Sequence, residues 1–414
     1  MKINKYLLII MSIFIFNISS VYAIDINNAK DYELETKEFE LQSKYGILYD
    51  LTDNYILYNK DSDTEVQIAS LTKIMTAIIA IENIENLDTE VTVTKEVFNN
   101  LEGYSQVGLK VGNKLTYRDL LYGVLLPSGA DAVNALVLNV TNNYDDFIKL
   151  MNDKVEELNL KHTHFDNAIG IDSDNNYSTA HDLAIILNYA LDNKDFYQIF
   201  TTKNYNIESL NLKMQSTLLY YGKNIDTSII TGAKSGFTDN AGVCLASISI
   251  NEDTNYLLIL LGANTNNRAN AIKDTIEVYN YYTNNYSHKI IASNDQKIKD
   301  INIKWGKDKT YEIKINDNIN YYLNNNINIE DINYEYNGIE ELNYKIKKGT
   351  KLGTISIKYN DILLATNNIY LDKNIKYYHP ILYIIIAISI ITLLVIIIQI
   401  KKRKNKRRKR RKYR

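Results

Sequence analysis

The sequence predicts an α+β catalytic-type domain, a small all-β domain and a transmembrane helix, in that order. Three observations carry this. Residues 45–282 mix helical periodicity with short strand-like runs. Residues 288–375 hold only short alternating runs, divided by Asn, Asp and Gly turns. Ile381 to Ile400 is a run of twenty residues without a charge, long enough to span a bilayer. The 414-residue length suits two domains with appendages, and the hydrophobic (45%) and charged (23%) fractions are those of a folded chain.

The ends set the compartment. Lys2 and Lys5, the apolar stretch Tyr6 to Ile18 and the Val21-Tyr22-Ala23 site read as a secretory leader, residues 1–23. The first domain then covers 24–285, the second 288–375, the membrane span 381–400 and a tail 401–414. Twelve of the fourteen tail residues are Lys or Arg. The positive-inside rule puts that tail in the cytoplasm, against anionic lipid, and the large N-terminal portion outside. The whole chain carries −2; setting aside the twelve tail cations and the two leader lysines leaves −16 on residues 24–400. That acidity argues against a nucleic-acid partner. Cys244 is the sole cysteine, so no intramolecular disulfide can form; in Val243-Cys244-Leu245-Ala246 it reads as a buried strand residue.

Along the chain, residues 24–44 are a polar lead-in. Tyr45–Asp50 and Tyr55–Tyr58 read as strands turned at Asp53-Asn54. Leu71, Ile74, Met75, Ile78 and Ile79 recur at the period of an amphipathic helix, with Ser70, Lys73 and Ala77 in a neighbouring row. Val91–Val97 and Gly108–Gly112 read as peripheral strand and loop. Thr116 begins a second helix that Pro127 ends, a third follows Ser128, and 146–158 is a fourth. A loop rich in Asp, Asn and Gly leads from Phe165 into a helix, Asp182 to Leu191. Thr231–Ser235 and Gly242–Ile250 read as strands joined by a hairpin at Phe237-Thr238-Asp239-Asn240. Tyr256–Leu261 is a further strand, and Arg268 opens a last helix, 268–282. In the second domain the clearest alternating runs are Ile301–Trp305, Tyr311–Ile315 and Thr354–Tyr359.

Three motifs carry chemistry. Ser70-Leu71-Thr72-Lys73 puts a hydroxyl and an amine side by side at a helix start, an activated nucleophile if the amine is held neutral. Ser70 is the only serine in the chain with a lysine three residues on. Ser128-Gly129-Ala130-Asp131 reads as a helix cap, Ser128 with Asp131 three residues later. Lys234-Ser235-Gly236 lies on a strand, which sends the Lys234 and Ser235 side chains to opposite faces, while Gly236 permits close approach of another backbone. His162-x-His164 is the one close histidine pair; it offers too few ligands for a metal peptidase, and neither metal nor cofactor is expected.

In that order, these motifs resemble the signature of penicillin-binding proteins and class A β-lactamases. The segments Ala69–Thr76, Asn176–Asp182 and Lys234–Leu245 are similar to the serine-type D-alanyl-D-alanine carboxypeptidases, the low-molecular-weight penicillin-binding proteins. Ile346–Gly353 resembles a recurrent segment of their C-terminal β-domain. The resemblance implies a transpeptidase-like fold, an antiparallel sheet flanked by helices. It implies removal of the terminal D-alanine of peptidoglycan stem peptides, with β-lactams as inhibitors. It makes Ser70 the nucleophile, Lys73 its base and Ser128 the proton relay. Lys234, Ser235 and Gly236 would hold substrate, Phe237 N–H and Ser70 N–H would form the oxyanion hole, and Arg268 would bind the substrate carboxylate. Three positions depart from the family pattern. Ala130 replaces an Asn, Ser235 a Thr, and Asn176 a His. Asn134 lies one helical turn beyond Ala130. Ala130 alone supports the alternative of a weak or inactive wall-peptide-binding protein. A β-lactamase is disfavoured, since that group's hydrolytic glutamate motif is not apparent.

Overall fold

The computed structural model describes residues 26–34, 36–99, 101–378 and 380–412; the leader expected at 1–23 lies outside the described residues. The chain divides into two compact units after Ser287.

The first unit is organised on one six-stranded sheet. Its strands are β1 (Lys30–Asp31), β2 (Tyr45–Asp50), β3 (Tyr55–Lys60), β4 (Gly232–Thr238), β5 (Gly242–Ile250) and β6 (Asn255–Ala263), in the spatial order β1-β3-β2-β6-β5-β4. Only the β1–β3 pairing is parallel. Alternation sorts the central strands onto two faces. Ile47, Tyr49, Cys244, Ala246, Ile248, Leu257, Ile259 and Leu261 join the main helical core. The register agrees, since Ala246 pairs Ile259, Ile248 pairs Leu257, and Ile259 pairs Ile47. On the other face Ser247 hydrogen-bonds Tyr279 of the last helix of this unit. Covered on both faces, β5 is buried at every residue except Ile250, which is why it reads as a near-continuous apolar run.

Eight α-helices stand in the described part of this unit, beside three two-stranded ladders: α1 (Thr72–Asn83), α2 (Tyr117–Leu125), α3 (Ala130–Thr141), α4 (Tyr144–Glu157), α5 (Ala180–Leu191), α6 (Lys194–Thr201), α7 (Thr217–Tyr221) and α8 (Asn270–Asn285). α1 contacts α2, α3, α4, α5 and α6. The sequence predicts it as amphipathic, but Thr72 to Ile81 are all buried, so its polar row faces protein rather than water. Four further expectations are corrected. α3 is capped by Gly129, not Ser128, and the buried Asp131 carboxylate reaches back to accept from the N–H groups of Val107, Gly108 and Leu109. α5 starts at Ala180, capped by Thr179, whose hydroxyl accepts from Asp182 N–H. Phe237 and Thr238 belong to β4, so the hairpin turn is confined to residues 239–241. α8 starts at Asn270, so Arg268 precedes it. Between residues 192 and 221, where periodicity predicts no element, α6, a hairpin of Asn204–Ile207 with Leu212–Gln215, and α7 are formed.

The second unit holds three small sheets. Strands β7 (Tyr286–Ala292), β8 (Lys297–Ile303), β9 (Thr310–Lys314), β10 (Ile319–Asn324), β11 (Asn333–Gly338), β12 (Glu341–Leu342), β13 (Lys351–Tyr359) and β14 (Ile362–Tyr370) pair as β7-β10, β9-β8-β12 and β11-β13-β14. β8 stops at Ile303, short of the Trp305 expected from alternation, because Trp305 takes a left-handed backbone (φ 61°). Helix α9 (Pro380–Lys412) follows. Its segment Ile381–Arg408, with a mean hydropathy of 3.3 in its most apolar window and none of that window buried, is long and apolar enough to cross a membrane.

Candidate active site

The site grows from the turn that precedes α1. Ala69, with φ 48°, stands in a left-handed conformation that a residue with a Cβ rarely adopts, and a 3-10 turn over Ala69–Leu71 delivers Ser70 to the mouth of a cleft of about 160 Å³. The strain is held from outside. Gly170 packs so tightly there that a Cβ on it would lie 2.0 Å from the Ala69 carbonyl oxygen, and a Cβ on Gly236 would lie 3.2 Å from Ser70 N. Gly236 lies on β4, an edge strand of the sheet, and alternate backbone groups of such a strand are not used by the sheet.

Lys73 lies one turn along α1. Its Nζ donates to Ser70 Oγ (3.0 Å) and to the Ile169 carbonyl (2.5 Å). The side chain is 1% exposed, and burial pulls the amine down to about 7. The Ile169 carbonyl is aimed by the loop after Phe165. Asn167 Oδ1 accepts from Gly170 N–H and Ile171 N–H, which folds the loop, and Thr76 Oγ1 donates to the Ala168 carbonyl. Asn176, at the third departure from the family pattern, is buried and donates to Thr72 Oγ1 while its Oδ1 accepts from Asp166 N–H, so it ties this loop to the start of α1.

Ser128 and Lys234 form a second hydroxyl–amine pair. Ser128 has φ 66°, a left-handed turn between α2 and α3, and its Oγ accepts from Lys234 Nζ at 3.0 Å. Lys234 also donates to the Ser235 carbonyl. It is fully buried, and burial first, then the nearby Lys73, holds its amine well below the usual lysine range. Strand alternation operates here. Ser235 lines the cleft and donates to Thr217 Oγ1 (2.7 Å), whereas Lys234 runs beneath it and brings only its tip to Ser128. Arg268 lies over the Phe237 ring at the cleft's rim. The Arg268 guanidinium at the rim, with no carboxylate lining the cleft among the described residues, suits the site to an anionic group on an acidic chain.

The cleft thus gathers Ser70, Lys73, Ser128, Ser235, Gly236, Phe237 and Arg268, with Lys234 directly below. Ala130 is buried beside it and donates its N–H to the Ser105 carbonyl, while Asn134 points away, binding the Val97 carbonyl. Five lining residues have no signal in the motifs: Gly103 (φ 83°), Tyr104 and Ser105, from one loop, and Thr217 and Tyr221, from α7. His162 and His164 lie elsewhere, paired with Glu65 and the Asn175 carbonyl.

Residues 32–265 match the D-alanyl-D-alanine carboxypeptidase family, and residues 286–377 match the C-terminal domain of penicillin-binding protein 5. The chain is 26% identical over 357 residues to D-alanyl-D-alanine carboxypeptidase DacF of Bacillus subtilis, covering 84% of this chain and 90% of that one. It is 35% identical over 204 residues to the D-alanyl-D-alanine carboxypeptidase of Streptomyces sp. strain K15, covering 46% and 70%. Among solved structures, the D-alanyl-D-alanine carboxypeptidase DacD of Francisella tularensis shares the fold with a TM-score of 0.63 at 21% identity, over 85% of this chain and 98% of that one. The fold is that of the penicillin-binding serine hydrolases. Within that class, the chain belongs to the D-alanyl-D-alanine carboxypeptidase family.

Proposed function

We propose that the chain removes the terminal D-alanine of peptidoglycan stem peptides through an acyl-enzyme on Ser70. The observation that carries the assignment is the contact of Lys73 Nζ with Ser70 Oγ inside a dry pocket, where the amine is held near 7. A neutral Lys73 takes the Ser70 proton as Oγ attacks the penultimate D-alanine carbonyl. The peptide C–N bond then breaks, and the leaving amine receives its proton through Ser128. The ester left on Ser70 is hydrolysed by water, which regenerates the hydroxyl and frees the shortened stem peptide. Ser70 N–H and Phe237 N–H serve the oxyanion. The substrate's terminal carboxylate meets Arg268 and Ser235, and its arrival favours the charged form of Lys234. A β-lactam presents a strained amide in place of that peptide bond, and its opened ring stays on Ser70.

Helix α9 anchors the enzyme in the membrane. The basic residues from Lys401 onward favour, by the positive-inside rule, a cytoplasmic tail with the catalytic unit outside, where wall peptide lies. The inactive-protein reading rests on Ala130 alone. Both hydroxyl–amine pairs are assembled despite it, and that favours the enzyme. The test is incubation of the protein and its Ser70→Ala variant with a fluorescent penicillin, then with a D-Ala-D-Ala-terminated stem peptide. The expected result is covalent labelling and D-alanine release, both dependent on Ser70. Labelling that survives Ser70→Ala overturns the assignment, and labelling without D-alanine release restores the binding-protein reading.

A further inference from the structure

The one tryptophan of this chain occupies an unusual place. Trp305 is 56% exposed, and its left-handed backbone (φ 61°) is a conformation that a bulky residue rarely adopts. Alternation along β8 would have offered it an ordinary strand position, so a turn is built instead. Gly306 makes the turn possible, since a Cβ there would lie 2.3 Å from Ile303 Cγ2 and 2.7 Å from the Asp308 carbonyl oxygen. The turn is fastened to the segment that leads into α9. Tyr378 N–H donates to the Trp305 carbonyl (2.6 Å), Lys307 N–H donates to the Lys376 carbonyl (2.8 Å), and Gly306 bridges to Tyr377.

That fastening fixes the depth of the tryptophan. Helix α9 begins at Pro380, two residues after Tyr378. Two residues of chain reach at most about 7 Å, and the headgroup layer on each side of the hydrocarbon is of similar depth, about 5–8 Å. The Trp305 backbone is therefore tethered to the entry point of the apolar helix at headgroup distance. Trp and Tyr concentrate at that layer because the ring is apolar and its N–H or O–H wants a polar partner. The flanking charge suits the same surroundings. Lys304, Lys307, Lys309, Lys373 and Lys376 stand on the two segments against the single acid Asp308, in a chain whose external part is otherwise strongly acidic. All five lysines are exposed, Lys304 lies within 3.9 Å of Glu341, and Lys373 Nζ lies over the Tyr311 ring.

We propose that the Trp305 turn and the 373–378 segment form a lipid-docking face that seats the second unit on the headgroup layer around α9. Trp305 and Tyr378 enter the interface, and the lysines contact lipid phosphates. This rests on the reading of α9 as a membrane anchor. Its consequence is that the second unit is attached at two points, the helix and the face, rather than swinging on the helix alone.

The test uses the full chain, with Trp305 as a built-in probe because no other tryptophan contributes emission. The chain is reconstituted in phosphatidylcholine vesicles, with or without phosphatidylglycerol, that carry a spin label at the headgroup or bromines deep in the acyl chain. Flotation is scored first, and a chain that does not float with the vesicles overturns the anchor reading and this face together. In floating material the expected result is preferential quenching by the headgroup label, blue-shifted emission and protection from iodide. Free access of iodide to Trp305 with no lipid quenching overturns the face while leaving the anchor intact. Stronger quenching by the deep bromines also overturns it. A Lys304→Glu, Lys307→Glu, Lys309→Glu variant is expected to lose headgroup quenching in the anionic vesicles and to keep its penicillin labelling; unchanged headgroup quenching overturns the role of the lysines.

Discussion

At the scale of single residues, the chemistry of this site turns on how protein surroundings treat an amine. Ser70 and Lys73 are adjacent in any helix, so their pairing was legible from spacing alone. The dryness that brings the Lys73 amine to about 7 was not, because it comes from residues distant in sequence. The Ile169 carbonyl that accepts from Nζ lies 96 positions away. Burial is the cause at Lys73, and Lys234 is itself depressed by burial and then by Lys73. The sign for pH follows. The base-competent neutral amine gains population as pH rises through 7, so the rate of β-lactam acylation is expected to fall about tenfold for each pH unit below that point. A rate flat between pH 5 and 7 would remove Lys73 from the role of base. Stability moves the same way. Because an unfolded lysine keeps its proton to about 10.4, the unfolded chain binds more protons above 7, and stability contributed at this residue rises with pH from about 7 toward 10. Denaturant melts of the parent and of Lys73→Met across that window check it, since the variant should lose part of the slope.

Ala130 is the other residue-scale question. Once it has taken the Ser70 proton, Lys73 carries three N–H donors, and two are directed at Ser70 and Ile169. An amide oxygen at position 130 would offer the third a partner next to Ser128. Ala130→Asn is therefore expected to raise the acylation rate by roughly tenfold, equivalent to about 1.4 kcal/mol of barrier. An unchanged rate with an unchanged melt would mean that this cleft has no use for the missing amide.

At the scale of elements, the sequence located the strands and helices that carry apolar periodicity and missed the pieces that shape the cleft. Thr217 and Tyr221 stand on a five-residue helix, too short to display a period. The cap predicted for Ser128 was a sound reading of local chemistry, overruled because Asp131 is committed to three N–H groups of the 107–109 segment and Lys234 claims the serine hydroxyl. The strained turn at Ala69 is likewise invisible in sequence, since its cause is Gly170, a hundred residues on, with φ 85°. Gly170→Ala puts a methyl against backbone that has no side chain to swing away. It is expected to destabilise the first unit by about 3 kcal/mol or more and to slow acylation of whatever remains folded. Thermal melts paired with penicillin labelling check this, and a variant with parental melting and labelling would show that the turn does not depend on that contact.

At the scale of the whole molecule, the two units answer to different surroundings. Every residue assigned a part in the acyl transfer lies between Ser70 and Arg268, within the first unit, whose core draws on its own sheet and helices. Helix α9 exposes its apolar length, which no part of the chain covers among the described residues. Burial of about twenty apolar residues belongs to lipid, and the free energy it supplies is independent of the cleft. Ending the chain at Tyr378 should therefore separate location from chemistry. The shortened protein is expected to leave the membrane fraction and to keep its rate of penicillin acylation within about twofold, a difference below ~0.5 kcal/mol. Membrane fractionation and stopped-time labelling with a fluorescent penicillin read the two properties side by side. A large loss of acylation on soluble, folded protein would show that the cleft depends on the anchor. Retention in the membrane fraction would move the anchoring function to another part of the chain, with the Trp305 turn as the first segment to examine.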